Sequence, residues 1–289
     1  MRDEVQLAAV SPSPEGRLER SHGAAELCLA HGEGGTAIRQ LYQKTPCRLL
    51  FPRVEAGDCL TAVLLTTTGG LTGGDSLALA FAAERNAAAT LTTQAAEKIY
   101  RSLGSDARIA LSLRAAEGAW LEWLPQETIL FEGARLARRA EADVALGGRL
   151  LAGEMVVLGR TARGERLSYG RLHDAWRVRR GGRLVWADAL HLDGALAPLL
   201  AHPAGCDGAI AVATLLYAAD DAPRWLEAAR DFLGNALSHA AATVVNGVLL
   251  ARLIGREAQA VREDFAHLAC SLRQAIAGFP ARLPRVWAV

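Results

Sequence analysis

From about Ala24 to Leu192, apolar side chains recur at every second position in short runs separated by turn residues. Leu77-Ala78-Leu79-Ala80-Phe81 is one such run, and Ile109-Ala110-Leu111-Ser112-Leu113 is another. Ala140, Ala142, Val144 and Leu146 alternate with charged or polar neighbours. A period of two puts successive side chains on opposite faces of an extended chain, so each run reads as a strand with one face toward a core. Trp176-Arg177-Val178-Arg179-Arg180, then Gly181-Gly182, then Arg183-Leu184-Val185-Trp186, reads as a hairpin closed by a glycine turn. Closely spaced strands over this length argue for a large antiparallel or solenoidal β structure. No fixed repeat length is present, so periodicity alone does not choose between a β-helix and a sandwich.

The pattern changes near Cys206. Ala209 to Tyr217 is a continuous apolar run, read as a buried strand. Asp220-Asp221-Ala222-Pro223 supplies helix-start chemistry, and the helix is expected to run to Leu233, before Gly234. Thr243 to Leu250 reads as a strand interrupted by Asn246-Gly247. Arg256 to Ala277 is the strongest helical segment. Its Val261, Phe265, Leu268, Leu272 and Ile276 form one apolar stripe, and Gly278 and Pro280 end it. The stripe reads as a docking face onto the β body.

The chain has 289 residues, 51% hydrophobic and 22% charged, a globular composition. Its 32 basic and 31 acidic residues leave a net charge of +1, which argues against a nucleic-acid partner. A mean hydropathy of +0.13 with near-zero charge predicts a chain that is sticky without a partner. Met1 to Ser13 carries Arg2, Asp3 and Glu4 with no apolar segment, so no secretory signal is expected there. No uncharged run reaches the roughly 20 residues of a membrane span. Cys28, Cys47, Cys59, Cys206 and Cys270 are scattered without a C-x-x-C pair, the pattern of free thiols in a reducing cytoplasm.

Three segments depart from ordinary strand composition. The first is Leu64-Leu65-Thr66-Thr67-Thr68-Gly69-Gly70-Leu71-Thr72-Gly73-Gly74-Asp75. The second is Thr92-Thr93-Gln94-Ala95-Ala96-Glu97-Lys98-Ile99-Tyr100-Arg101-Ser102, and the third Trp123-Leu124-Pro125-Gln126-Glu127-Thr128-Ile129-Leu130-Phe131-Glu132-Gly133-Ala134-Arg135. The glycine run matches neither phosphate-loop pattern and leads into a strand, so it reads as a turn, either purely structural or presenting Asp75. No nucleophile elbow is present. Among the seven histidines, His173 and His191 lie on opposite arms of the glycine hairpin. A two-residue loop sets His173 opposite Leu190 and puts the two histidines on opposite faces, whereas a three-residue loop sets them directly across from each other. Glu97, Glu127, Glu132 and Glu165 occupy apolar surroundings, where a carboxylate must be paired, hydrogen-bonded or bound to a cation. Two readings stand. Either they form internal ion pairs with Lys98, Arg101 or Arg135, or they line a polar passage whose weak oxygen ligands hand on a divalent cation.

Together with Thr45-Pro46-Cys47-Arg48-Leu49-Leu50-Phe51-Pro52-Arg53, these segments resemble the urease accessory protein UreD (UreH) family. The likeness continues through Asn246-Gly247-Val248-Leu249-Leu250-Ala251-Arg252 and the last helix. The resemblance implies a mainly β fold, a β-helical or solenoid-like winding of many short strands with about two helices in the C-terminal third. Residues 1–20 are then a loose segment, and 21–289 one UreD-like domain, β-rich to about 205 and strand-helix-strand-helix over 206–280. It implies a cytoplasmic, non-enzymatic chaperone that binds UreF, through it UreG, and apo-urease. Such a chaperone assists nickel insertion, holds no tightly bound cofactor and passes nickel only in transit. Motif residues carried over are Gly69, Gly70, Gly73, Gly74 and Asp75; Gln94, Glu97, Lys98 and Tyr100; and Pro125, Gln126 and Glu127, with Glu132 and Glu165 added as passage candidates. Asp75, Glu127 and His191 are the candidate transient nickel ligands. The competing reading is a β-rich metal-dependent hydrolase using the same three residues as ligands or acid-base groups.

Overall fold

A computed structural model describes residues 19–288, so the expected loose segment lies almost wholly outside the described residues. Strands β1 (His22–Gly32) and β2 (Gly35–Lys44) form a hairpin at one end of a seven-stranded sheet. The chain then enters a ten-stranded sheet with β3 (Cys47–Leu50) and β4 (Leu60–Thr66). From there it winds. β5 (Ser76–Ala83) returns to the first sheet, and β6 (Ala88–Thr93) and β7 (Glu97–Ile99) lie in the second. β8 (Ala107–Ala115) is in the first, β9 (Trp120–Trp123) and β10 (Thr128–Leu130) in the second, β11 (Arg135–Val144) in the first and β12 (Arg149–Leu158) in the second. β13 (Tyr169–Arg180) closes the winding, and β14 (Arg183–Ala195) folds back on it.

Each turn of the chain therefore lays one strand beside its predecessor in parallel, as a solenoid does. Leu77 pairs with Ile109, Ile109 with Arg138, and Arg138 with Asp174. These steps are unequal, which is why the sequence carries no fixed repeat. Leu146, read as continuing the alternation of β11, instead sits beyond it in an exposed turn.

The C-terminal third follows the expected order with two additions. A short helix α1 (Ala197–Ala201) precedes β15 (Ala211–Ala218) and α2 (Leu226–Phe232). The segment read as one interrupted strand is a hairpin, β16 (His239–Val245) and β17 (Val248–Gly255), turning at Asn246-Gly247 with both residues at positive φ. Asn-Gly is a hairpin signal, and the flanking alternation belongs to two strands. Helix α3 (Ala258–Ala277) starts two residues later than expected.

Two apolar layers result. One fills the space between the sheets, from Ala25, Leu27 and Leu29 to Val248 and Leu250. The other lies between the ten-stranded sheet and the helices, where Val261, Phe265, Leu268 and Leu272 of α3 are buried. Gly153 lets α3 approach, since a Cβ there would lie 2.6 Å from the Phe265 ring. Within this second layer Arg273 is 1% exposed and Glu122 is fully buried. Arg273 Nε donates to Glu122 at 2.9 Å and Nη2 to Asp58 at 2.7 Å, while Nη1 donates to the Pro280 and Arg282 carbonyls. Trp120 Nε1 and Thr90 also donate to Glu122.

Candidate functional site

The three unusual segments pack against one another. Leu71 N donates to the Lys98 carbonyl and Tyr100 N to the Leu71 carbonyl, so the glycine run is laced to the second segment. Gly70 sits at φ 139°, and a Cβ there would lie 2.5 Å from the Lys98 oxygen. Gly73 is equally crowded, with Ser102 Oγ 2.0 Å from a built Cβ, and Gly69 accepts from Tyr100 Oη at 2.8 Å. Gly74 N donates to the Asp106 carbonyl. The Asp75 carboxylate accepts from the backbone N–H of Ser21 and of Thr72, both at 2.8 Å, so it fastens the turn rather than facing a ligand. Gly70→Ala is expected to cost about 1–3 kcal/mol through forced backbone strain, read as a lowered thermal midpoint.

The third segment receives the C-terminus. Gln126 Nε2 donates to the Gln94 and Val286 carbonyls, each at 2.8 Å, and its N–H donates to Thr93 Oγ1. Pro125 is buried beside it. Glu127 forms an ion pair with Arg262 of α3, whose guanidinium stacks on Trp287 at 4.6 Å. Glu165 pairs with Arg160, and Glu132 accepts from the Ser168 N–H and hydroxyl. None of the four glutamates is paired with Lys98, Arg101 or Arg135 as expected. Arg101 bridges in backbone to Ala134, and Arg135 is held by Asp106. Glu127 meets Arg262 across 135 residues and Glu132 meets Ser168 across 36, which sequence proximity does not reveal, whereas Glu165 meets Arg160 only 5 residues away.

Glu97 is different. A cleft of about 240 Å³ opens between the first two segments, lined by Thr66, Thr68, Gly69, Gly70, Gln94 and Glu97 among others. Burial pushes the Glu97 carboxyl up to about 7, against the stabilising hydroxyl of Thr66 at 3.3 Å. Thr68 Oγ1 is buried there without a hydrogen-bond partner among the described residues. The nearby Cys47 thiol is pushed up to about 11 by burial and by Glu97, which makes it a poor ligand at neutral pH.

Glu97 pairs in register with Thr128, so the two side chains share the face that looks between the sheets. Thr128 Oγ1 accepts from Arg138 at 3.1 Å, and Arg138 pairs with Asp174 and lies 2.8 Å from Glu154. This cluster is almost dry. The Arg138, Asp174 and Glu154 side chains retain 10%, 1% and 14% of their exposure. Burial and the neighbouring Asp174 charge push Glu154 up to about 8, against the pull of Arg138. Glu154 stands in register with Thr214, and Thr214 with Arg252, which pairs with Asp188 at the surface. A polar row thus crosses the inter-sheet layer from the Glu97 cleft to the Arg252–Asp188 pair. The inward row that carries Leu77 and Ile109 in early coils carries Arg138 and Asp174 in later ones.

Sequence reasoning missed Arg138, Glu154 and Asp174. The available signal was a charge at an inward position, as with Glu154 inside the apolar run Leu150 to Leu158. Asp75, Glu127 and His191 are not brought together, and no group of three or more His, Cys, Asp or Glu suited to a metal ion occurs among the described residues. His191 stands on β14, directly across from His173. The glycine loop does have two residues, but a bulge on β14, with Val185 as the extra residue opposite Val178 and Arg179, sets the histidines opposite, in place of the His173–Leu190 pairing a regular two-residue hairpin gives.

No helix among the described residues is long and apolar enough to cross a membrane. The family model described as UreD urease accessory protein matches residues 21–288. A urease accessory protein UreD of Magnetococcus marinus is 41% identical over 288 residues, covering 98% of this chain and 99% of that one. Urease accessory protein UreD 1 of Methylobacterium radiotolerans is 47% identical, covering 96% and 98%. UreD of Methylobacterium sp. (strain 4-46) is 46% identical, covering 94% and 96%. With a family match over nearly its whole length and relatives this similar end to end, the chain belongs to the UreD family of urease accessory proteins, whose role is in urease maturation rather than catalysis.

Proposed function

We propose that this chain is a cytoplasmic scaffold that binds UreF, through it UreG, and apo-urease, and that nickel bound for the urease active site crosses its β body along the polar row. The observation that carries this reading is Glu154. A carboxyl poised near neutrality between two apolar sheets, beside an Arg–Asp pair, is costly to keep for stability alone. On this reading an arriving cation displaces the carboxyl's proton, as metal binding to a protonated ligand requires. Glu97 has the same character at the cleft. Oxygen donors spaced along a row hold a divalent cation weakly enough to release it.

The open edge of the seven-stranded sheet supports the docking half of this reading. Ile38, Leu41 and Tyr42 are exposed on β2, which pairs only with β1 and leaves its other edge open among the described residues. Exposed apolar side chains on an open strand fit docking to another protein and low solubility alone. The hydrolase alternative loses support, because Asp75 and Glu127 are already committed to backbone and Arg262 partners and stand apart from His191.

The test is activation of apo-urease by nickel with UreF and UreG, in the presence and absence of this chain. Activation is expected only in its presence. Equal activation without it, or substrate turnover by the isolated chain, overturns the reading.

A further inference from the structure

His173 and His191 stand directly opposite each other on β13 and β14, with ring centroids 5.4 Å apart and ring planes at 69°. Their strand neighbours Leu172, Asp174 and Leu192 are buried, so by alternation both imidazoles point outward, away from the polar row. His191 is exposed and His173 half-buried. Beside them lies a shallow depression of about 360 Å³ lined by His173, Ala175, Ala189 and Arg139 among others. The alanines leave room above the sheet. In the row on the other side, Arg171 faces Asp193, and Asp106 holds both Arg171 and Arg135, so those positive charges are neutralised. Arg139, in register with Ala175, Arg177, which also lines the depression, and Arg108, two strands over from His173, are nearby cations with no ion-pair partner among the described residues.

We propose that His173 and His191 form a two-imidazole site for a borderline divalent transition cation of the Ni²⁺, Cu²⁺ or Zn²⁺ class. Imidazole nitrogen suits these ions and not Mg²⁺ or Ca²⁺. Two rings held on adjacent paired strands reach one ion without ordering a loop, which lowers the entropic cost of chelation. No third His, Cys, Asp or Glu completes the shell among the described residues, so the remaining positions fall to water or to donors from another protein. The site is open and exchangeable. It stands apart from the polar row between the sheets and holds whether or not a cation crosses there.

The test is titration of tag-free protein with NiSO₄ by calorimetry, beside His173→Gln, His191→Gln and the double variant. Both positions are solvent-facing, and matched thermal midpoints without metal establish that the variants fold. The wild type is expected to bind one ion with a His-dependent affinity that each single substitution weakens at least about tenfold, with the double variant little worse than either single, as chelation requires. Ni²⁺ is expected to raise the thermal midpoint of the wild type alone. Cu²⁺ bound to the wild type is expected to show coupling to two nitrogens in its EPR spectrum. Equal Ni²⁺ binding by wild type and double variant, or binding that depends on only one histidine, overturns the proposal.

Discussion

Arg273→Ala is expected to lower stability by about 3–5 kcal/mol, the scale set by removing one partner of a buried ion pair. Glu122 is fully buried and Arg273 nearly so, so the substitution leaves a buried carboxylate without its counter-charge. The substitution also frees the carbonyls of Pro280 and Arg282 and the Asp58 carboxylate. It removes the cation stacked over Phe279 as well. These groups hold α3 and the C-terminal segment on the ten-stranded sheet, so the damage is not confined to one contact. A chain of this kind has only about 5–15 kcal/mol to lose. Denaturant unfolding measures the change directly. Pairing Arg273→Ala with Glu122→Leu is expected to recover part of the loss, because the uncompensated charge goes with the carboxylate. A loss below about 1 kcal/mol for the single variant removes the network from any account of how α3 is held.

The parts of the fold that were legible rest on local periodicity. Alternation over residues 77–81 and 109–113 lies inside β5 and β8, and the stripe from Val261 to Leu272 is the buried face of α3. Stacking order was not legible from spacing, because the coils differ in length, and the solenoid came from the family resemblance. The glycine run stands out in the sequence, and the structure gives contact as the reason for its glycines. Gly70 and Gly73 are pressed against Lys98 and Ser102 of a segment about thirty residues away. The candidate row was less legible still. Arg138 and Glu154 stand in phase with apolar neighbours, which marks them as inward, but only the register shows which charges they meet across the strands. Glu122 and Arg273 are 151 residues apart in the chain, and nothing local couples them. The hairpin shows how little separates two outcomes. One bulged residue, Val185, opposite Val178 and Arg179, decides whether His173 meets Leu190 or His191.

Glu154→Gln separates a transfer role from a structural one, because the two make opposite predictions. The carboxyl is raised to about 8, so at neutral pH it is mainly protonated in the folded chain, and glutamine copies that neutral form in shape and charge. In the unfolded chain the same carboxyl ionises near its ordinary value. Between about pH 4.5 and 8 the folded state therefore holds a proton that the unfolded state has released. Stability of the wild type falls as pH rises through that window and levels off above it. Glutamine has no such dependence. The variant is expected to match the wild type near pH 5 and to exceed it in thermal midpoint at pH 8.5. Nickel loading of urease is expected to move the other way, falling at least about tenfold, since an amide offers a cation no negative charge and cannot trade a proton for it. Thermal unfolding at the two pH values, beside nickel content of urease activated with UreF and UreG, reads both effects on one variant. Activation that stays at the wild-type level while stability rises leaves Glu154 a burdensome core carboxyl and takes the polar row out of nickel transfer.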